Sequence, residues 1–139
     1  MKIVETAVWT PYPRITVADA NADEEVVVVL TQARIDAGRR GEFDRQTHRL
    51  VDSLPNQLGL LGYSVRQQTH GDLVWTLTIW VSGQARSQFL HSAAHRRAVA
   101  HSGAAVRDMQ AWRATMPRAH IPGSWAEVAA MFADSRIAP

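Results

Sequence analysis

The chain has 139 residues, the size of one domain with its own hydrophobic core, and it contains no cysteine, which excludes disulfides, zinc–thiolate sites and cysteine nucleophiles. The formal net charge is +2, without a basic run interleaved with aromatic residues, so we predict no nucleic-acid partner. The first residues lack the apolar run of a signal peptide and no stretch approaches the roughly 18 apolar residues of a membrane span, so we expect a cytoplasmic protein with no membrane partner.

The first half of the chain is predicted to form an arm, a strand and a helix. Residues 1–25 are the arm, in which the two prolines of "TPYPR" favour extended backbone. The β-branched run "EVVVVLTQARI" (25–35) predicts a strand that is buried on both faces. From Arg39 to Leu54 apolar residues recur at helical spacing, and Pro55 ends the helix.

The stretch "LLGYSVRQQTHGDLVWTLTIWVSG" (60–83) predicts a β-hairpin that turns at His70–Asp72. Side chains alternate along a strand, so Trp75 and Leu77 share one face of the second strand while Thr78 and Trp80 share the other. The first of these faces is a core face. The second is mixed, as in the wall of a cavity or in a sheet-to-sheet interface.

The rest of the chain is predicted to add a helix over 83–103, a strand over 104–116 and a C-terminal helix that begins with a Ser124–Glu127 capping box. The order β-α-β-β-α-β is that of the ferredoxin-like α+β fold, in which helices cover one face of a four-stranded antiparallel sheet. We therefore predict a single domain over residues 26–139. The other sheet face would carry Trp80, and we expect a second copy of the chain to cover it in a homodimer.

Residues 89–101, "FLHSAAHRRAVAH", hold three histidines. His91 and His95 are four residues apart, so on one helix they would share a face. A third metal ligand would have to come from a distance and the pattern is not His-Glu-x-x-His, so we predict no metal site. A histidine titrates near neutral pH and can take a proton from a phenol or an enol, so His95 is an acid–base candidate. The alternative is a basic helix surface in contact with solvent.

Other candidates lie in a loop and at strand ends. Prolines stiffen "MPRAHIPG", so Arg118 and His120 could close a pocket and meet an anionic group, or the loop could only position the last helix. Trp80 and Trp112 end neighbouring strands and either wall an aromatic substrate or pack in the core or a dimer contact. The candidate substrate-binding residues are Trp80, Trp112, Phe89, Tyr63 and Arg118, and the candidate catalytic residues are His95, His120 and His91.

The strand end "TIWVS" and the helix "FLHSAAHRRAV" that follows it carry a resemblance to a known family. They resemble the antibiotic-biosynthesis monooxygenase superfamily, the dimeric α+β barrels, over about residues 26–136. Phe89, Ser92, His95 and Arg96 also resemble the corresponding helix of spheroidene-monooxygenase-type proteins, and "WRATMPRAHIPGSWAEV" is similar to uncharacterised barrel families. The resemblance implies a homodimeric barrel, a position of His95 that faces the cleft between helix and sheet, and oxygen chemistry that is cofactor-free or uses haem.

The sequence departs from the haem-degrading members of that superfamily, which resemble each other in an Asn on the first strand and a His late in the second helix. Here the first strand offers Thr31 and Gln32, and Val99 stands at the place of the late His, so we expect no haem degradation of that kind. The function predicted is a small-molecule monooxygenase of secondary or pigment metabolism that acts on an aromatic or polyketide-like substrate. The open alternatives are a non-oxidative isomerase or cyclase that uses the same pocket and a non-catalytic small-molecule-binding protein.

Overall fold

The computed structural model describes residues 3–5, 10–11, 24–53, 57–68, 71–103 and 105–137. Within these residues the four long strands form an antiparallel sheet in the order β4-β5-β3-β6, where β3 is Glu25–Ile35, β4 is Leu60–Gln68, β5 is Leu73–Trp80 and β6 is Val106–Pro117. The helices are α1 (Arg40–Ser53), α2 (Gly83–Leu90), α3 (Ala93–Ser102) and α4 (Trp125–Met131). This arrangement confirms the predicted ferredoxin-like α+β fold. None of the described helices is long and apolar enough to cross a membrane.

The N-terminal arm contributes two short strands that the sequence did not predict. Strand β1 (Ile3–Glu5) and strand β2 (Thr10–Pro11) both pair antiparallel with β4. Thr10–Pro11 belongs to "TPYPR", for which extended backbone was predicted. The remaining residues of the arm lie outside the described part of the chain, and the predicted domain boundary at residue 26 stays a prediction.

The register between the strands assigns each side chain to one face of the sheet. Val27 lies opposite Trp80 of β5, whereas Val28 lies opposite Ile79. Because directly opposed residues in an antiparallel pair point to the same side, Val27 and Trp80 share one face, and Val28 and Ile79 share the other. Residues 26–30 are all buried, which confirms that β3 is covered on both faces.

Helices α1 and α2 cover the face that carries Trp80, and α3 packs against these two helices. Trp80 is fully buried and packs with Val27, Val29 and the α2 residues Ala85 and Phe89. The expectation that the Trp80 face is left open for a second copy of the chain is therefore wrong. The predicted alternation of side chains between the two faces of β5 is correct, but alternation does not tell which face the helices cover.

The C-terminal segment of the same chain covers the opposite face. Trp125 and Val128 of α4 pack with Leu77 and Ile79, and the Trp125 indole N–H donates a 3.0 Å hydrogen bond to the Ser64 hydroxyl. The predicted cap of this helix is present, since the backbone N–H of Glu127 donates to the Ser124 hydroxyl over 3.2 Å. Both faces of the sheet thus have intramolecular cover over β3 and β5.

The helix predicted over 83–103 is two helices, with a break at His91 and Ser92. The Ser92 hydroxyl caps α3 by accepting a hydrogen bond from the backbone N–H of His95, and Ser82 caps α2 in the same way through Ala85. A serine in extended conformation is a strong helix start, so Ser92 opens a new helix where alanine-rich sequence alone favours continuation. The expectation that His91 and His95 lie on one face of one helix is therefore wrong.

Candidate functional site

A line of three rings runs from the sheet to the surface at the helix-covered face. The Trp80 and Phe89 ring centroids are 5.2 Å apart, and those of Phe89 and His95 are 5.0 Å apart in an edge-on arrangement. Trp80 and Phe89 are buried while His95 is half-buried. This line of rings, here called the aromatic wall, therefore ends in a partly exposed imidazole, and the region between β5, α2 and the start of α3 is the candidate cleft.

The position of His95 gives its imidazole the chemistry of a neutral base. Burial lowers the pKa of His95 and the nearby Arg86 charge lowers it further, while a hydrogen bond to the Leu90 backbone acts in the opposite direction. A backbone contact that raises the pKa of a histidine is that of a carbonyl, which accepts the ring N–H. The other ring nitrogen then keeps its lone pair and can accept a proton at neutral pH.

Polar groups of two strands lie beside the aromatic wall. Tyr63 is opposite Thr78 in the β4–β5 register, is half-buried and packs against the Trp80 cluster. The Trp80 indole N–H donates a 2.8 Å hydrogen bond to the Thr78 hydroxyl. The structure therefore brings four of the predicted residues to one face: Trp80, Phe89, Tyr63 and His95.

Two arginines at this site were missed by the sequence analysis. Arg113 of β6 is opposite Val29 in the register, and its guanidinium lies so close to Gly83 that a Cβ placed there would be 2.6 Å from Nη2. Arg86 lies one turn after Gly83 on α2, and burial followed by the Arg113 charge lowers its pKa. Strand parity was the available signal, because Arg113 alternates with Trp112 and so had to lie on the face opposite to it.

Two predicted residues lie away from this cleft. Trp112 is opposite Leu30 and packs with the cluster under α4, so it lies on the other side of the sheet from Trp80. His91 is exposed at the break between α2 and α3, where its Nδ1 donates a 2.8 Å hydrogen bond to the Ser87 carbonyl. Trp80 and Trp112 therefore lie on opposite faces of the sheet and do not wall one pocket, and both pack in the core, the other alternative that the sequence left open.

The loop with Arg118 and His120 is a short 3-10 turn that follows β6. His120 is exposed. The Arg118 guanidinium pairs with the Glu24 carboxylate at 3.4 Å, so it already has an anionic partner within the chain. Its expected role toward a substrate anion stays a prediction. Among the described residues, no three His, Asp or Glu side chains come together in a group that could hold a metal ion.

The fold defines a small ferredoxin-like protein in which a line of rings runs from Trp80 of β5 through Phe89 of α2 to His95 at the start of α3. Residues 26–101 match the family model of antibiotic biosynthesis monooxygenases, and the chain belongs to that family. This match confirms the resemblance found in the sequence. No curated protein matches the chain significantly.

Solved structures share this fold at low sequence identity. A candidate antibiotic biosynthesis monooxygenase from Chloroflexus aurantiacus is 18% identical, with a TM-score of 0.57, over 66% of this chain and 92% of that one. A candidate antibiotic biosynthesis monooxygenase from Caulobacter crescentus is 16% identical, with a TM-score of 0.58, over 69% of this chain and 92% of that one. A candidate monooxygenase from Lactobacillus acidophilus has a TM-score of 0.59 at 8% identity over 71% of this chain, which spans only 49% of that protein.

Proposed function

We propose that the protein is a cofactor-independent monooxygenase that acts on an aromatic or polyketide-like small molecule in the cleft formed by β5, α2 and α3. The observation that carries the proposal is the half-buried His95, whose lowered pKa keeps it neutral, at the end of the Trp80–Phe89 wall. Membership of the monooxygenase family supports the reaction class. Of the three rings only His95 is partly exposed, so a planar substrate lies against its imidazole, which Phe89 supports from the core.

His95 is the proposed general base. It takes a proton from a phenol or from a methylene group beside a carbonyl, and the resulting carbanion donates electrons to dioxygen. A C–O bond forms, and loss of water from the peroxide leaves a new carbonyl group. The substrate loses two hydrogens, one oxygen atom enters the product and the other leaves as water. The protein contributes orientation, a dry site and the base.

The family is generally cofactor-free, and we propose the same for this chain. The haem-degrading alternative resembles proteins with a late histidine in the second helix. At that place Val99 is 54% exposed on α3 and has no metal-binding atom. A Soret band in the purified protein, or in the protein mixed with hemin, would favour the haem-assisted alternative over the one proposed here.

The test is oxygen consumption with an anthrone or another phenolic polyketide analogue. We expect the colourless protein to form a quinone with uptake of one dioxygen per turnover. His95→Ala should lose activity on the order of 10²-fold or more while its circular dichroism is unchanged, because it removes the base and leaves the wall in place. His91→Ala is the matched control, since it removes an exposed imidazole from the same segment.

Three outcomes would contradict the proposal. Turnover of the analogue under nitrogen would favour the isomerase or cyclase. Tight binding without any turnover would favour a binding protein. A His95→Ala variant that turns over like the parent would exclude His95 as the base.

A further inference from the structure

We propose that Arg86 and Arg113 form an anion-binding site at the start of α2, and that the aromatic substrate therefore carries an anionic oxygen group. The site itself is independent of the chemistry at His95. Its assignment to the substrate rests on the proposed function, because it takes the cleft beside His95 as the place where the substrate binds.

The first arginine comes from the edge strand of the sheet. Arg113 projects to the helix-covered face, since it is opposite Val29, which is buried in the cluster with Trp80 and Phe89. Its guanidinium reaches the first residue of α2, where the missing side chain of Gly83 leaves room for it. Nη2, Cζ and Nη1 would lie 2.6, 3.5 and 3.6 Å from a Cβ at position 83, so the whole flat group lies against the helix start.

The second arginine comes from the helix itself. Arg86 follows Gly83 by three residues and precedes Phe89 by three, so it lies between them along one side of α2. It is half-buried and close enough to Arg113 and to His95 for its charge to act on both. The guanidinium groups of Arg86 and Arg113 therefore lie near the start of α2, and Arg86 is also near the His95 imidazole.

Neither arginine is neutralised within the part of the chain that the structure describes. The ion pairs there join Arg34 to Asp72, Arg40 to Asp44 and Arg118 to Glu24. Neither Arg86 nor Arg113 donates a side-chain hydrogen bond to any described residue. Like charges that approach each other at the positive end of a helix repel, and an anion bound between them relieves that repulsion.

The chemistry of the two groups defines the ligand. Guanidinium groups donate paired, charge-assisted hydrogen bonds to planar oxyanions such as carboxylates. The aromatic body of the ligand follows from the proposed function, since Phe89 and Trp80 are themselves buried in the core. A carboxylate or a phenolate oxygen satisfies both requirements, and the same arginines would stabilise the negative charge that develops when His95 removes a proton.

Calorimetric titration under nitrogen tests the site without turnover. The probes are 2-naphthoate for the carboxylate, 4-nitrophenolate for the phenolate, and 2-naphthamide as the neutral isostere of the first. We expect 2-naphthoate or 4-nitrophenolate to bind on the order of tenfold or more tightly than 2-naphthamide, as charged hydrogen bonds predict. The stronger of the two anions identifies the oxygen group.

Four variants locate the preference. Arg86→Gln and Arg113→Gln should each remove most of the preference for the anion while binding of 2-naphthamide stays unchanged. Gly83→Ala should weaken it as well, because the new Cβ displaces the Arg113 guanidinium without removing a charge. Arg107→Gln, an exposed arginine on the same strand, is the matched control for net charge and should keep the preference.

The result separates this inference from the proposed oxygenase activity. Equal binding of 2-naphthoate, 4-nitrophenolate and 2-naphthamide by the parent would overturn the anion site, even if the enzyme consumes oxygen. An anion preference that survives in both Arg86→Gln and Arg113→Gln would overturn it too. Loss of the preference in these variants, in a protein without oxygenase activity, would leave the anion site standing and remove only its assignment to a substrate.

Discussion

At the scale of the residue, His95 shows how local surroundings select one histidine from several. His91 and His120 are exposed, whereas His95 is half-buried against Phe89 and has a lowered pKa. In the sequence the resemblance alone singles out His95 among these histidines, and its catalytic role stays a prediction. The two arginines beside it were not foreseen, since Arg86 and Arg113 are 27 residues apart and only the folded sheet brings them together.

The lowered pKa of His95 predicts a pH dependence of stability. Burial disfavours the protonated ring, so the unfolded chain takes up this proton at a higher pH than the folded protein does. The contribution of His95 to the free energy of unfolding is therefore complete above about pH 6.5. It is lost as the pH falls toward the lower pKa that His95 has in the folded state. In His95→Gln, the part of the decrease in the free energy of unfolding at acid pH that His95 causes should disappear.

Urea titrations measure the effect as a free energy of unfolding. They are run between about pH 7.5 and about pH 5, in steps of about half a pH unit. His91→Gln, which removes an exposed imidazole from the same segment, serves as the control. A His95→Gln variant with the same pH profile as the parent would show that burial does not shift this histidine.

At the scale of the element, the break between α2 and α3 positions the site. If the chain continued as one helix from Gly83 to Gly103, His95 would follow Phe89 by about one and two-thirds turns and would point away from it. The cap at Ser92 redirects the chain so that the His95 ring contacts the Phe89 edge. Gly59 supports the same arrangement, because its positive φ of 81° and lack of a Cβ let the loop before β4 approach Ala85 closely.

Ser92→Ala tests the role of the cap. We expect a loss of about 1 kcal/mol in the free energy of unfolding, because the Ser92 hydroxyl accepts the backbone N–H of His95 at the start of α3. The loss is measured by urea unfolding. Ser87→Ala on the exposed side of α2 is the control, and equal stability of the two variants would contradict the capping role.

At the scale of the whole molecule, the two edges of the sheet differ. The short strands β1 and β2 cover the β4 edge, whereas β6 ends the sheet on the other side. Residues 107–111 of β6 are exposed, and Met109 among them is 58% exposed. No strand among the described residues pairs with β6 on that side, and an open edge of this length is a natural place for strand pairing with another chain.

This edge gives the predicted homodimer a new basis, since the Trp80 face on which it first rested is buried under α2. We propose that two copies of the chain associate along β6. Light scattering at micromolar concentration should give about twice the chain mass of 15.4 kDa, and Met109→Lys should shift the mass toward the monomer. Met131→Lys on the exposed side of α4 is the control. A mass of 15.4 kDa for the unmutated protein would contradict the proposed dimer.

The sequence by itself determined the order of the four long strands and the stretches that are helical, the ferredoxin-like class and the family, because periodicity, breakers and short motifs are local signals. The run of residues 26–30 is one case, in which unbroken β-branched sequence predicted cover on both faces. Three features were decided only by the tertiary structure: the side of the sheet on which Trp80 lies, the cover that α4 gives to the opposite side, and the approach of Arg113 to Gly83. Alternation along a strand defines two faces, but contacts between distant parts of the chain decide what covers each of them.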